Sequence, residues 1–172
     1  MPNALVIIGH HTEEAEFGES IREWMKDAHF NFYRISHSYQ NGSNGHDPSA
    51  AEIWVAEEEI LKVMALHKPT VTIDVHTAEG QMAMCLAELI TLHQFNRLQL
   101  VKTVESLYPV EDSMSVSVER FRPTVRDSRL QTQQRFPYTT LEMWLESNPS
   151  KIPYQTQVEF AAKVINKVSG LY

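Results

Sequence analysis

The segment "ALVIIG", residues 4–9, constrains the fold more than any other stretch of the chain. It is an apolar, largely β-branched run ended by a glycine. Such a run reads as a strand buried on both faces, the situation of a parallel strand covered by helices above and below. The next residues agree. Between Glu13 and His29, the apolar residues Phe17, Ile21, Trp24, Met25 and Ala28 recur at helical spacing, with Glu16, Glu19, Arg22, Glu23 and Lys26 on the opposite side. "FNFYRIS" (30–36) then alternates as a second strand. A chain that begins β-α-β is committed to helices packed on a sheet.

The rest of the chain continues the alternation. "HSYQNGSNGHDPSA" (37–50) is rich in Gly, Asn and Ser and reads as an exposed loop. A second helix is predicted over about 49–67, with Ile53, Ile60, Leu61 and Met64 inward and Pro69 ending it. "TVTIDV" (70–75) is a β-branched third strand whose tip carries Asp74, His76 and Thr77. A largely buried helix is expected over about 80–94, holding Met82, Met84 and Cys85 in the core, and "LQLVKTVESLY" (98–108) reads as a fourth strand. Residues 109–135 show little periodicity and contain Arg120, Arg122, Arg126, Arg129 and Arg135. "PYTTLEMWL" (137–145) reads as a last strand and "QTQVEFAAKVINKV" (155–168) as a closing helix. The expected fold is therefore α/β, a three-layer α/β/α arrangement around a mainly parallel or mixed sheet, in a single domain over 1–172.

Composition narrows the partners. With 172 residues, 42% hydrophobic and 22% charged, the chain can bury a substantial core. Its net charge of -7, with scattered basic residues, lacks the footprint of a nucleic-acid binder, so a small-molecule or short-peptide substrate is expected. No apolar stretch approaches the roughly 18 residues that cross a bilayer. Cys85 is the lone cysteine, so no intrachain disulfide can form, and Met1 leads into a strand without a leader's charge pattern. Both observations predict a cytoplasmic protein.

In open α/β sheets ligands gather at strand carboxyl ends, and two such ends here carry histidine. "GHHTEE" (9–14) contains H-x-x-E in two overlapping frames, His10 with Glu13 and His11 with Glu14, and His76 follows the third strand. Two imidazoles and a carboxylate are the donor set of a catalytic zinc with one open position. Glu14 has a second reading, as a first-turn carboxylate favoured by the helix dipole, but the ligand reading is preferred. His37 and His46 fall in the exposed loop, while His29, His67 and His93 fall at predicted helix ends.

"GHHTEE" resembles the G-x-H-x-x-E zinc motif of the zinc carboxypeptidases and of their relatives, the succinylglutamate desuccinylases and aspartoacylases. "IDVHTA" (73–78) is similar to the family's D-L-H-T segment, and "YTTLEMWLESNPSKIPYQTQVEFAAKVINKV" (138–168) to its closing strand and helix. The resemblance implies a zinc-exopeptidase-like fold and one Zn2+ per chain held by His11, Glu14 and His76, with His10 as a neighbour. It also implies that Glu142 is the general base of an amide-bond hydrolase, with Glu146 as its nearest competitor. Asp74, two residues before His76 and so on the same face of a strand, would orient it, and Arg34 or one of the later arginines, such as Arg120 or Arg122, would meet substrate negative charge. The expected reaction is cleavage of a C-terminal peptide bond or of an N-acyl amino acid. The family's arginine and asparagine block, which grips the substrate carboxylate, is not recognisable in "NFYRISHSYQNGSNGHDPSA". The alternatives are a non-catalytic, ligand-binding member of the fold, or a metal-free protein in which His11 and His76 lie far apart.

Overall fold

A computed structural model of the chain describes residues 3–26, 28–38, 49–79, 85–91, 114–120 and 138–171. Strand β1 (Ala4–Ile8) is buried along its whole length, as its unbroken apolar run requires. Gly9, at φ 71°, turns the chain out of β1 in the left-handed region that a side chain disfavours. A short 3-10 turn, Thr12–Glu14, follows and leads into helix α1 (Ala15–Trp24), which buries Phe17, Gly18 and Ile21. Gly18 lies against β1 so closely that a Cβ there would stand 2.6 Å from the Ile8 Cβ.

Strand β2 (Asn31–Arg34) pairs with β1 in parallel, and helix α2 (Ala50–His67) crosses to β3 (Val71–Glu79). At the start of α2 the Ser49 hydroxyl accepts from the Glu52 N–H and the Glu52 carboxylate accepts from the Ser49 N–H, which satisfies two otherwise orphaned donors. Lys68, at φ 46°, ends α2 just before Pro69. Strands β4 (Cys85–Thr91), β5 (Met114–Arg120) and β6 (Tyr138–Leu145) and helix α3 (Tyr154–Ser169) complete the described elements.

The six strands form one mixed sheet in the order β2-β1-β3-β6-β4-β5. β2, β1, β3 and β6 run parallel; β4 is antiparallel to β6, and β5 parallel to β4. Helices α1 and α3 cover one face, where Phe17, Ile21, Val158, Ala161 and Ile165 pack on Val6, Ile8, Ile73, Val75, Leu141 and Met143. Helix α2 covers the other, with Ile60, Val63 and Met64 on Leu5, Ile7 and Tyr138. The expected three-layer α/β arrangement is therefore observed. Each fully buried aliphatic side chain in these layers stabilises the fold by roughly 1.5–3 kcal/mol.

Three element assignments change. The helix expected over 80–94 is strand β4 where it is described. Leu, Ala and Glu favour a helix, but pairing with β6 and β5 overrides propensity, and Cys85, Ala87 and Leu89 alternate with the half-buried Leu86 and Glu88. The stretch read as aperiodic contains β5, whose "SVSV" alternation is the period of a strand. The third strand does not stop at Val75 but runs to Glu79, so His76 sits within it. The strand expected at 98–108 lies outside the described residues, as do Met82, Met84, His46 and His93.

Candidate metal centre

The period of a β-strand places Asp74 and His76 on one face of β3, the face covered by α2. β1 lies beside β3, and the turn after Gly9 brings His10 and His11 over the same region. The three imidazoles form a triangle, with ring centroids 5.1 Å apart for His11–His76, 5.1 Å for His10–His76 and 5.5 Å for His10–His11. Glu14 completes the cluster from the 3-10 turn and is 4% exposed. Its Oε2 accepts from the His11 N–H at 3.2 Å, and its Oε1 accepts from the Thr77 N–H at 3.0 Å and lies 3.3 Å from His76 Nδ1. Both readings of Glu14 meet here: one oxygen caps the turn and the other faces His76.

Among the described residues, two sets of donors could hold a metal ion, His11/Glu14/His76 and His10/Asp74/His76, each with its ligand atoms within 4.8 Å of one another. His76 belongs to both because its two nitrogens face opposite ways. Nδ1 faces Glu14, while Nε2 lies 3.0 Å from Asp74 Oδ2. That same Oδ2 is 3.1 Å from His10 Nδ1 and accepts from the Tyr138 hydroxyl. The second set is thus already knit together by hydrogen bonds around the buried His10 and Asp74, whereas in the first set only Glu14 is buried and His11, like the shared His76, is partly exposed. A metal-ligating histidine commonly gives its other N–H to a carboxylate, and His76 is arranged in that way toward Asp74.

The donors of the first set fit a divalent cation chemically. Burial lowers the His11 imidazole to about 4, against the opposing pull of Glu14, so at neutral pH it is uncharged, as an imidazole must be to bind a metal. Burial alone would also lower His76, yet Asp74 and then Glu14 outweigh it and hold that ring well above the usual histidine range. Burial likewise opposes the charge on Asp74, but His76 and His10 hold its carboxyl well below the usual value. A metal ion at this site would have to compete with a proton for His76 Nδ1, and its uptake would release that proton.

Glu142 is the register partner of His76 on β6, so the two residues stand side by side on one face of the sheet. On its other flank it pairs with Glu88 of β4, whose Oε2 accepts from Trp144 Nε1 at 3.2 Å. Glu146 lies past the end of β6, where it holds the turn into α3: its Oε1 accepts from the Asn148 N–H, and Gln157 bonds to its backbone N–H and C=O. The structure thus brings His11, Glu14, His76 and Glu142 together. It does not bring Arg120 to them. β5 runs antiparallel to β3, so Arg120, paired with Thr91, ends β5 toward the start of β3. Three strand spacings and three residues of rise put its backbone on the order of 17 Å from that of His76. Arg122 lies outside the described residues.

Tyr138 was not singled out by sequence reasoning. Its aromatic ring reads as core, and only the β3–β6 pairing reveals the hydroxyl on Asp74.

The fold is the one shared by a set of amidase and aminoacylase structures. No protein-family model matches the chain, and neither does any curated protein. Among solved structures, the CwlD amidase from Clostridioides difficile, determined in complex with the GerS lipoprotein, is similar over 99% of this chain and 99% of its own, with TM-score 0.60 and 10% identity. The catalytic domain of CwlV, an N-acetylmuramoyl-L-alanine amidase from Bacillus (Paenibacillus) polymyxa, is similar over 97% and 95%, with TM-score 0.55 and 11% identity. Murine aminoacylase 3 is similar over 98% of this chain and 66% of its own, with TM-score 0.54 and 12% identity. At these identities the likeness is one of fold.

Proposed function

We propose that this chain is a zinc-dependent hydrolase that cleaves the amide bond of an N-acylated amino acid or short peptide. The observation that carries the reading is the convergence of His11, Glu14 and His76 from two separate elements, with Glu142 in register beside His76. The names of the structural neighbours, amidases and an aminoacylase, favour an acyl-amide bond over the C-terminal peptide bond of a carboxypeptidase.

Bound there, zinc would lower the pKa of a coordinated water toward neutrality and polarise the scissile carbonyl. The chain's own residues do the rest. Glu142 takes a proton from the attacking water as the new C–O bond forms, then delivers it to the amine nitrogen as the C–N bond breaks. Asp74 accepts a hydrogen bond from His76 Nε2–H and so presents Nδ1 as the ligand atom. His11, uncharged, needs to lose no proton before it binds.

Metal analysis joined to turnover tests the proposal. About one zinc per chain is expected in the wild type, and His11→Ala and His76→Ala are expected to lose it. Glu142→Gln should keep the metal while losing roughly 10²–10⁴-fold in turnover of acyl-amino-acid amides. Full metal content in both histidine variants would overturn the reading. A metal-replete wild type inert toward every acyl-amide and peptide tested would instead identify a binding protein.

A further inference from the structure

Asp74 is 1% exposed, and one of its two carboxylate oxygens serves groups from three separate elements. His10 reaches Oδ2 from the turn after β1, His76 from β3, and Tyr138 from β6. An ionised carboxylate only accepts hydrogen bonds, so each of these groups must donate. His10 therefore donates from Nδ1 and His76 from Nε2. The Tyr138 ring is buried against Leu5, Ile7, Ile60 and Met64, so its hydroxyl is delivered to Asp74 by the core packing of the α2 layer. The carboxylate is thus anchored on two sides, by His10 and by Tyr138, before it meets His76.

We propose that Tyr138 and His10 are positioning residues of the metal centre, which fix Asp74 and through it turn His76 Nδ1 toward His11 and Glu14. The inference rests on the metal reading above and deepens it. It also assigns the His10/Asp74/His76 set a role in orientation rather than in ligation. The sheet register explains the economy of the device. Tyr138 opposes Thr72 and Asp74 opposes Ile7, so strand pairing alone holds β6, β3 and β1 at the spacing the three donors need.

The test uses the full chain, with zinc affinity measured by chelator competition and the visible spectrum of the cobalt(II)-substituted protein as a second readout. Tyr138→Phe keeps the buried ring and deletes only the hydroxyl. It is expected to weaken zinc binding about 10-fold or more and to shift the cobalt bands, with thermal unfolding confirming a folded chain. His10→Leu should do the same, whereas His10→Asn, whose amide N–H can stand where Nδ1–H stands, should bind near the wild-type affinity. Wild-type affinity and an unchanged cobalt spectrum in folded Tyr138→Phe would overturn the inference while leaving the metal centre intact. A wild-type chain that takes up neither metal would overturn both.

Discussion

At the scale of single residues, one carboxylate outside the candidate centre has a comparably dense set of partners. Glu59, on α2, accepts from the backbone N–H groups of Ser36 and His37 at 2.6 and 3.0 Å, from the Tyr33 hydroxyl at 2.8 Å and from His37 Nδ1 at 2.6 Å. Burial alone would raise its pKa, but these donors lower it from 4.5 to about 2. A carboxyl whose pKa falls on folding adds stability above its unfolded value, and that stability is lost as the pH drops toward the folded value. Glu59→Gln is therefore expected to cost on the order of 2 kcal/mol at pH 7, and the gap from wild type should close as the pH falls from 4.5 toward 2. Urea unfolding at both ends of that range measures it; a gap that ignores acid would show that charge is not what holds the segment. The candidate ligands differ from Glu59 in how plainly the sequence displays them. His11, Glu14 and His76 stand in short local patterns tied to strand ends, so they can be read directly. Glu59 looks like any outward glutamate on a helix, and Tyr138 like any core aromatic, because their partners come from distant parts of the chain.

At the scale of elements, α1 both packs on the sheet and carries the turn that presents His11 and Glu14. Its closest approach to β1 is at Gly18, where an added methyl meets the branched Cβ of Ile8 rather than the end of a flexible side chain. Gly18→Ala is expected to cost about 1–3 kcal/mol in overpacking, against at most about 1 kcal/mol gained in helix propensity. The shift of the urea midpoint checks the net sign; an unchanged or raised midpoint would mean that α1 can withdraw from β1 freely. Elements with a strong period, such as β1, α2, β6 and α3, were legible in the sequence. β4 was not, because "CLAELIT" is built from good helix formers and becomes a strand only through β5 and β6. The place of the Arg120 backbone, toward the start of β3, could not be read for the same reason: strand direction is a property of the assembled sheet.

At the scale of the whole molecule, the proposed ligands come from the turn after β1 and from β3, more than sixty residues apart in sequence. An unfolded chain cannot present them together, so metal should stabilise the native state by mass action. At a free zinc concentration 100 times Kd the gain is about 2.7 kcal/mol, which for a chain of this size raises Tm by roughly 5–10 °C over the chelator-treated protein. Calorimetry with and without EDTA measures it, and identical melting curves would show that no folding-linked metal is held.

The position of β6 in the sheet bears on how the protein comes into being. It is inserted between β3 and β4, both of which precede it in the chain. Until Tyr138–Leu145 is in place neither β3 nor β4 has its partner on that side, and an unpaired strand edge is open to pairing with other chains. The same strand brings Tyr138 to Asp74 and Glu142 to His76. Insertion of this one strand therefore closes an edge of β3 and an edge of β4 and brings the proposed base beside His76, so joining of the two halves of the sheet and assembly of the proposed site are a single folding event.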